Sequence, residues 1–152
     1  MSWGDITQAP MAIPSKQLSD EDYWRLADFR YALRRFLDFS AKAAADEGLT
    51  PAQHQALLVI RGCPAATATV GRLAERLCIR PNSAAELAQR LEAAGLISRE
   101  TCTSDRRTVL LQPTREGEAK LEVLTRAHRN ELRQIGPEIT VLVRRLGREE
   151  EP

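Results

Sequence analysis

The sequence predicts a mostly α-helical chain carrying one small β-hairpin, and three observations predict it. Apolar residues recur at helical spacing through most of the chain, two short stretches beyond residue 95 alternate or are β-branched instead, and capping residues, prolines and glycines fall at the joins. The 152 residues suit one domain with extra helices attached. With 43% hydrophobic and 28% charged residues, the chain can bury a core and stay soluble. Aromatic residues make up only 5%, so Leu, Val, Ile and Ala must supply most of the packing.

Ser19 to Asp46 reads as a long amphipathic helix. Leu26, Phe29, Leu33, Phe36, Leu37, Ser40 and Ala44 recur at helical spacing, with Arg30, Arg34, Arg35 and Asp38 largely on other faces. Ser19 or Asp20 suits the N-cap and Gly48 the stop. A helix this long cannot bury its stripe against its own domain alone, so part of it is expected to pack on a second subunit. Thr50-Pro51 opens a second helix, a capping hydroxyl before a first-turn proline. That helix runs through Leu57, Leu58 and Ile60 to Gly62, and Pro64 prevents its continuation. Thr69 to Leu77 forms a short helix, Cys78-Ile79-Arg80 a tight turn, and Pro81 to Ala94 another helix closed by Gly95. Leu96 to Glu100 and Thr108 to Gln112 read as two strands joined by the polar loop Thr101 to Arg107. Pro113-Thr114 starts a fifth helix, with Leu121, Leu124, His128, Leu132 and Ile135 marking one face, expected to end at Gly136-Pro137, and a last short helix holds Ile139, Leu142, Val143 and Leu146.

Two short helices joined by a tight turn and followed directly by a hairpin form a winged helix-turn-helix. The first short helix packs across the second, which then presents an exposed face to a DNA major groove. Ala74 is small where the two must approach, and Leu73, Leu77, Ile79, Leu87 and Leu91 fall at inward positions. The outward face of the second helix carries Asn82, Ser83, Ala85 and Glu86, with Gln89 and Arg90 further on. Asn and Gln can read adenine edges, Ser a base or phosphate, and Arg a guanine or phosphate. Asn82 and Ser83 have a competing role: Ser83 with Glu86 fits a capping box, and Asn82 can itself cap. Pro81, however, suits the first helical position, which would put Arg80 at the cap. Glu86 fits a solvated or ion-paired residue better than a base reader. At the hairpin tip stand Asp105, Arg106 and Arg107, where a wing would reach a minor groove; arginine gains there from negative potential, and the aspartate could hold a guanidinium in place. The net charge of only +1 means that any positive potential for DNA must be local.

Taken together, these segments resemble the MarR family of bacterial transcriptional regulators, from about Tyr23 to Leu146. The resemblance is carried by Leu49-Thr50-Pro51-Ala52-Gln53, by Leu73-Ala74-Glu75-Arg76-Leu77, and by Arg90-Leu91-Glu92-Ala93-Ala94-Gly95-Leu96-Ile97. Ser104-Asp105-Arg106-Arg107 and Gln112-Pro113-Thr114-Arg115-Glu116-Gly117 complete it. Residues 1–17, with Pro10 and Pro14 among small and polar residues, read as a flexible arm and 148–152 as an acidic tail, leaving a single domain over 18–147. Within the domain, the resemblance implies dimerisation helices over 18–48 and 114–147 and a DNA-binding lobe over 50–112. It further implies a cytoplasmic homodimer on a pseudo-palindromic double-stranded operator, repressing until a small, often aromatic or phenolic, effector binds. Asp105 and Arg107 match the family's wing pair. This chain departs from the pattern at Cys102-Thr103, at Gln112-Pro113-Thr114 and at Ala84-Ala85, the last pointing to sparse base readout.

Phe36, Phe39 and His54 are the candidate ligand-pocket residues, since an imidazole can hydrogen-bond a carboxylate or phenol. The alternative for His54 is a core residue satisfied by a backbone carbonyl. A thiol-based redox regulator of the same fold is the alternative function, with Cys102 beside Arg99, Arg106 and Arg107. A winged-helix protein-interaction module is a third reading. Cys63, Cys78 and Cys102 form no Cys-x-x-Cys pair, which argues against a disulfide framework or a zinc site. No phosphate loop or nucleophile elbow is present, and His54 and His128 are the only histidines. No catalytic residue, metal or cofactor is therefore expected, and no apolar run approaches a membrane span.

Overall fold

The computed structural model describes residues 17–147; the expected tail at 148–152, and the expected arm except Gln17, lie outside them. Helix α1 (Asp20–Asp46) begins in a reciprocal capping box, with Ser19 accepting from the Asp22 amide and Asp22 accepting from the Ser19 amide. Helix α2 (Pro51–Gly62) repeats the device with Thr50 and Gln53, and has its proline in the first turn. Helices α3 (Val70–Leu77) and α4 (Pro81–Ala93) follow, then strands β1 (Ile97–Thr101) and β2 (Val109–Pro113), and a long helix α5 (Arg115–Leu146).

The core sits where α2, α3, α4 and the hairpin meet. Leu57, Leu73, Leu91 and Leu124 are fully buried, and Ala56, Ala84 and Ala88 let helices close on one another. Ala74 is buried at the α3–α4 approach, as expected, whereas Leu77 is only half-buried and Ile79 lies at the surface. The α3–α4 turn passes through Cys78 in the left-handed region (φ 54°), and the Ile79 amide returns to Ala74 O at 3.1 Å. Cys78 thus closes α3 in the conformation glycine usually supplies, and Ile79 is carried outward.

The strands pair antiparallel, with Ile97 opposite Pro113 and Thr101 opposite Val109, one residue further on than the alternation suggested. The Leu111 amide donates to Ala68 O at 2.7 Å, tying the hairpin to the segment before α3. Thr114 makes the join to α5. Its hydroxyl donates to Gly95 O at 2.6 Å and accepts from the Gly117 amide, and its own amide donates to Leu96 O. Gly117 is buried against Leu96 so closely that a Cβ there would collide with the Leu96 carbonyl.

The main correction concerns the C-terminal helices. The expected fifth and sixth are one helix, with Pro137 inside it. Proline forfeits one backbone hydrogen bond and crowds the preceding turn, which is why a break was expected. The stripe Leu121, Leu124, His128, Ile135, Ile139 and Leu142, however, keeps a single face on both sides of Pro137. Packing along α1 holds the helix continuous despite the lost bond. The two long helices run antiparallel: Ser40 meets His128, and the Lys120 ammonium donates to Glu47 O at 2.7 Å. Of the expected α1 stripe, Ala44 is buried and Phe29, Phe36 and Ser40 half-buried, but Leu26, Leu33 and Leu37 remain exposed. On α5, Leu132, Val141, Val143 and Leu146 are exposed as well. No helix among the described residues is long and apolar enough to cross a membrane.

Candidate nucleic-acid interface

Helix α4 turns Ala84, Leu87, Ala88 and Leu91 into the core and leaves the opposite face outward. Asn82, Ser83, Glu86, Gln89 and Arg90 are all exposed, while Ala85 is half-buried and lies at the edge of that face. The competing capping role is resolved by geometry. Arg80 occupies the N-cap with Pro81 next, and among the described residues no side chain caps this helix. Asn82 and Ser83 therefore keep their polar groups turned to solvent. The first amides of α4 are likewise uncapped by any side chain, a set of donors suited to an anion such as phosphate. Glu86 lies 4.0 Å from Arg90, a loose surface pair that holds neither residue firmly.

The β1–β2 loop carries the second half of the surface. Asp105, Arg106 and Arg107 are exposed at its tip, and neither arginine is ion-paired within the described residues. Asp105 does not hold a guanidinium. Its Oδ1 accepts the Arg107 backbone N–H and its Oδ2 accepts the Thr108 hydroxyl, both at 3.0 Å. The Thr108 amide donates to Asp105 O, and the Cys102 amide to Thr108 O, closing the loop from within. The aspartate thus fixes the backbone on which the arginines ride. At the base, Cys102 Sγ lies 3.1 Å from Ser104 Oγ. The Ser104 hydroxyl first, then the Ser104 and Asp105 amides, hold the Cys102 thiol below its ordinary value. The nearby arginines expected to do this do not: Arg99 pairs with Glu92 at 2.9 Å.

The third group of expected residues, Phe36, Phe39 and His54, is brought together around a residue that sequence reasoning had placed only as part of a helix face. The His128 ring makes edge contacts with Phe36 at 5.8 Å and Phe39 at 5.3 Å, and its centroid lies 4.9 Å from that of His54. His128 Nδ1 is 2.7 Å from Leu124 O, and Nε2 is 2.9 Å from Ser40 Oγ. A carbonyl can only accept, so Nδ1 carries a proton. His54 is 2% exposed, and neither ring nitrogen has a hydrogen-bond partner among the described residues, so the carbonyl-satisfied core reading does not hold. Leaving a buried donor unpaired costs roughly 1–3 kcal/mol. Burial, and secondarily His128, push the His54 imidazole below its ordinary value. The spacing of His128 on α5 marked it as inward, but a single sequence carries no signal for its partner on α2. An open groove of about 540 Å³, lined by Pro64, Thr67, Thr69, Gly71, Arg72 and Glu75, lies elsewhere. Among the described residues no group of three or more His, Cys, Asp or Glu side chains could hold a metal ion.

Residues 47–108, from the end of α1 to the wing tip, match the model of the MarR family. The HTH-type transcriptional repressor MdtR of Bacillus subtilis (strain 168) is 37% identical over 76 residues, 50% of this chain and 48% of that protein. Over residues 47–108 the chain is similar to the MarR family. The MdtR match spans about half of each protein. Likeness of fold extends over more of the chain. Transcriptional regulator Tm0710 from Thermotoga maritima superposes with a TM-score of 0.58 at 27% identity, covering 78% of this chain and 81% of that one. A point mutant of S. aureus MepR, solved bound to an oligodeoxyribonucleotide, shares the fold at 16% identity and a TM-score of 0.62, covering 86% of this chain and 99% of that one.

Proposed function

We propose that this chain is a sequence-specific DNA-binding transcriptional regulator of the MarR family, acting as a homodimeric repressor. The observation that carries the reading is the pairing of an uncapped, solvent-facing start of α4 with a hairpin whose Arg106 and Arg107 are exposed and, among the described residues, outside any ion pair. Asn82, Ser83, Gln89 and Arg90 would meet base edges and phosphates in a major groove, and the wing arginines a flanking minor groove. Glu86 and Ala85 contribute shape more than readout. A second copy would cover Leu26, Leu33 and Leu37 of α1 with Leu132, Val141, Val143 and Leu146 of α5, an apolar surface that one chain leaves in water. Two recognition helices would then lie about 34 Å apart, one turn of DNA. MdtR, named a repressor, and MepR, solved on an oligonucleotide, support the reading.

Release by a small aromatic acid or phenol is the finer part of the proposal. It is supported by His54, a buried imidazole without a hydrogen-bond partner among the described residues, gathered with Phe36 and Phe39. A thiol-responsive variant of the same regulator is favoured by one observation, the donors aimed at Cys102 within the wing. The test is a gel shift on DNA upstream of the chain's own gene, with excess non-specific competitor. A discrete complex dissolved by phenolic acids supports ligand release, and one dissolved by peroxide and restored by thiol supports the redox variant. No competitor-resistant complex on any fragment of the source genome would overturn the reading in favour of a protein-interaction module.

A further inference from the structure

The chain's two histidines come from different parts of the fold and meet at its central joint. His54 lies on α2, within the winged-helix core; His128 lies on α5, hydrogen-bonded across to Ser40 of α1. We propose that the His54–His128 contact is a proton-operated latch: mild acidification separates α2 from the α1–α5 pair, and so loosens the winged-helix lobe from the helices that carry it.

The chemistry starts from the unequal surroundings of the two rings. His128 keeps both of its hydrogen bonds in either protonation state, because Ser40 can donate to a neutral Nε2 or accept from a protonated one. His54 has no such provision, since among the described residues neither nitrogen has an acceptor to receive a second N–H. A proton on His54 therefore requires that water reach the ring, which requires α2 to move. A proton on His128 acts in the same direction, placing positive charge 4.9 Å from that unpartnered ring.

The surrounding charges do not offset this. On α1, Asp38, Lys42 and Asp46 are exposed, and Glu47 is half-buried with its carbonyl held by Lys120. On α5, Lys120 and Glu131 are half-buried and Arg129 is exposed. Arg61 of α2 pairs with Glu118 of α5, and Cys63, also half-buried, ends α2. Toward the DNA-binding side, Arg72 of α3 pairs with Glu75, Arg76 is exposed, and Glu86 and Arg90 of α4 face solvent. Strand β2 has no titratable side chain. None of these forms an ion pair with either imidazole among the described residues, and the charge that acts on His54 is that of His128.

The direction follows by linkage. An open form exposes His54 to water, where it takes up a proton near its ordinary value of about 6.5. In the closed form burial and His128 lower that affinity, so the closed form binds fewer protons. Closure is then complete above about pH 6.5 and weakens as pH falls below it, the open form gaining up to about tenfold by pH 5.5.

The experiment is amide hydrogen exchange on the full chain at pH 7.5 and 5.5, corrected for the intrinsic pH dependence of exchange. The expected result is more opening of α2 and of the facing part of α5 at pH 5.5 than at pH 7.5, by no more than about tenfold. In His54→Phe, which keeps an aromatic ring and removes the proton site, that ratio falls to about one. Equal protection at both pH values in the parent chain, or an undiminished ratio in His54→Phe, would overturn the latch. Should the variant not fold, the two Cε1–H resonances of the parent chain decide. The latch requires the His54 signal of the folded form to titrate below the ordinary histidine value. Titration near pH 6.5 with α2 protection intact contradicts it. Neither readout uses DNA, so failure of the latch and failure of the regulator reading are separable.

Discussion

The carboxylate of Asp105 accepts the backbone N–H of Arg107 at 3.0 Å and makes no ion pair with its guanidinium. An acidic residue thus sits at the tip of a surface proposed to bind a polyanion because the loop needs its hydrogen bonds. Asp105→Ala removes a negative charge, which by simple electrostatics would strengthen DNA binding. Loss of the bonds to the Arg107 amide and the Thr108 hydroxyl should instead weaken it about fivefold, with melting temperature little changed. Fluorescence anisotropy on an operator duplex checks the sign. Tighter binding would mean that the loop holds its shape without the aspartate.

Gly117→Ala should destabilise the chain by roughly 1–3 kcal/mol, because the new methyl group is driven into the Leu96 carbonyl and must displace the α5–hairpin join. Gly71→Ala is the control. Its Cβ would meet only Thr69 Oγ1 at 3.8 Å, and alanine favours the exposed helix it enters, so stability should hold or rise by up to about 1 kcal/mol. Urea denaturation of both variants separates crowding from helix propensity.

Much of this was legible in the sequence, and the parts that were not share a cause. Ser19, Thr50 and Pro51 announced their helix starts because capping is chemistry between residues at most three apart. The uncapped start of α4 was left open, since Asn82 and Ser83 suit two roles and only the backbone position of Pro81 decides between them. The break expected at Pro137 applied a local rule that packing along α1 outweighs. His128 was visible as an inward residue, but its contact with His54 joins residues 74 positions apart in the sequence, and no local spacing encodes that.

Leu33→Glu with Leu37→Glu should leave the fold of one chain intact, since both side chains are exposed in it, while abolishing dimerisation. Light scattering should report a monomer whose far-ultraviolet dichroism matches the parent. A double variant that remains dimeric would place the subunit contact on another face.

Cys102 should be alkylated by iodoacetamide faster than the more exposed Cys78, because the Ser104 hydroxyl and the adjacent amides favour its thiolate. Ser104→Ala should slow Cys102 selectively, as followed by mass spectrometry of the tryptic peptides. Modification of Cys78 ahead of Cys102 would remove the observation that favours a thiol-responsive regulator.

The most direct test of the central claim is the salt dependence of affinity, measured on an operator duplex and on a scrambled duplex for the parent chain and for Arg107→Ala. A sequence-specific winged helix predicts a preference of at least about a thousandfold for the operator at physiological salt. It also predicts that Arg107→Ala weakens binding and lowers the log–log salt slope by about one. Equal affinity for both duplexes, with a slope unmoved by Arg107→Ala, would contradict it.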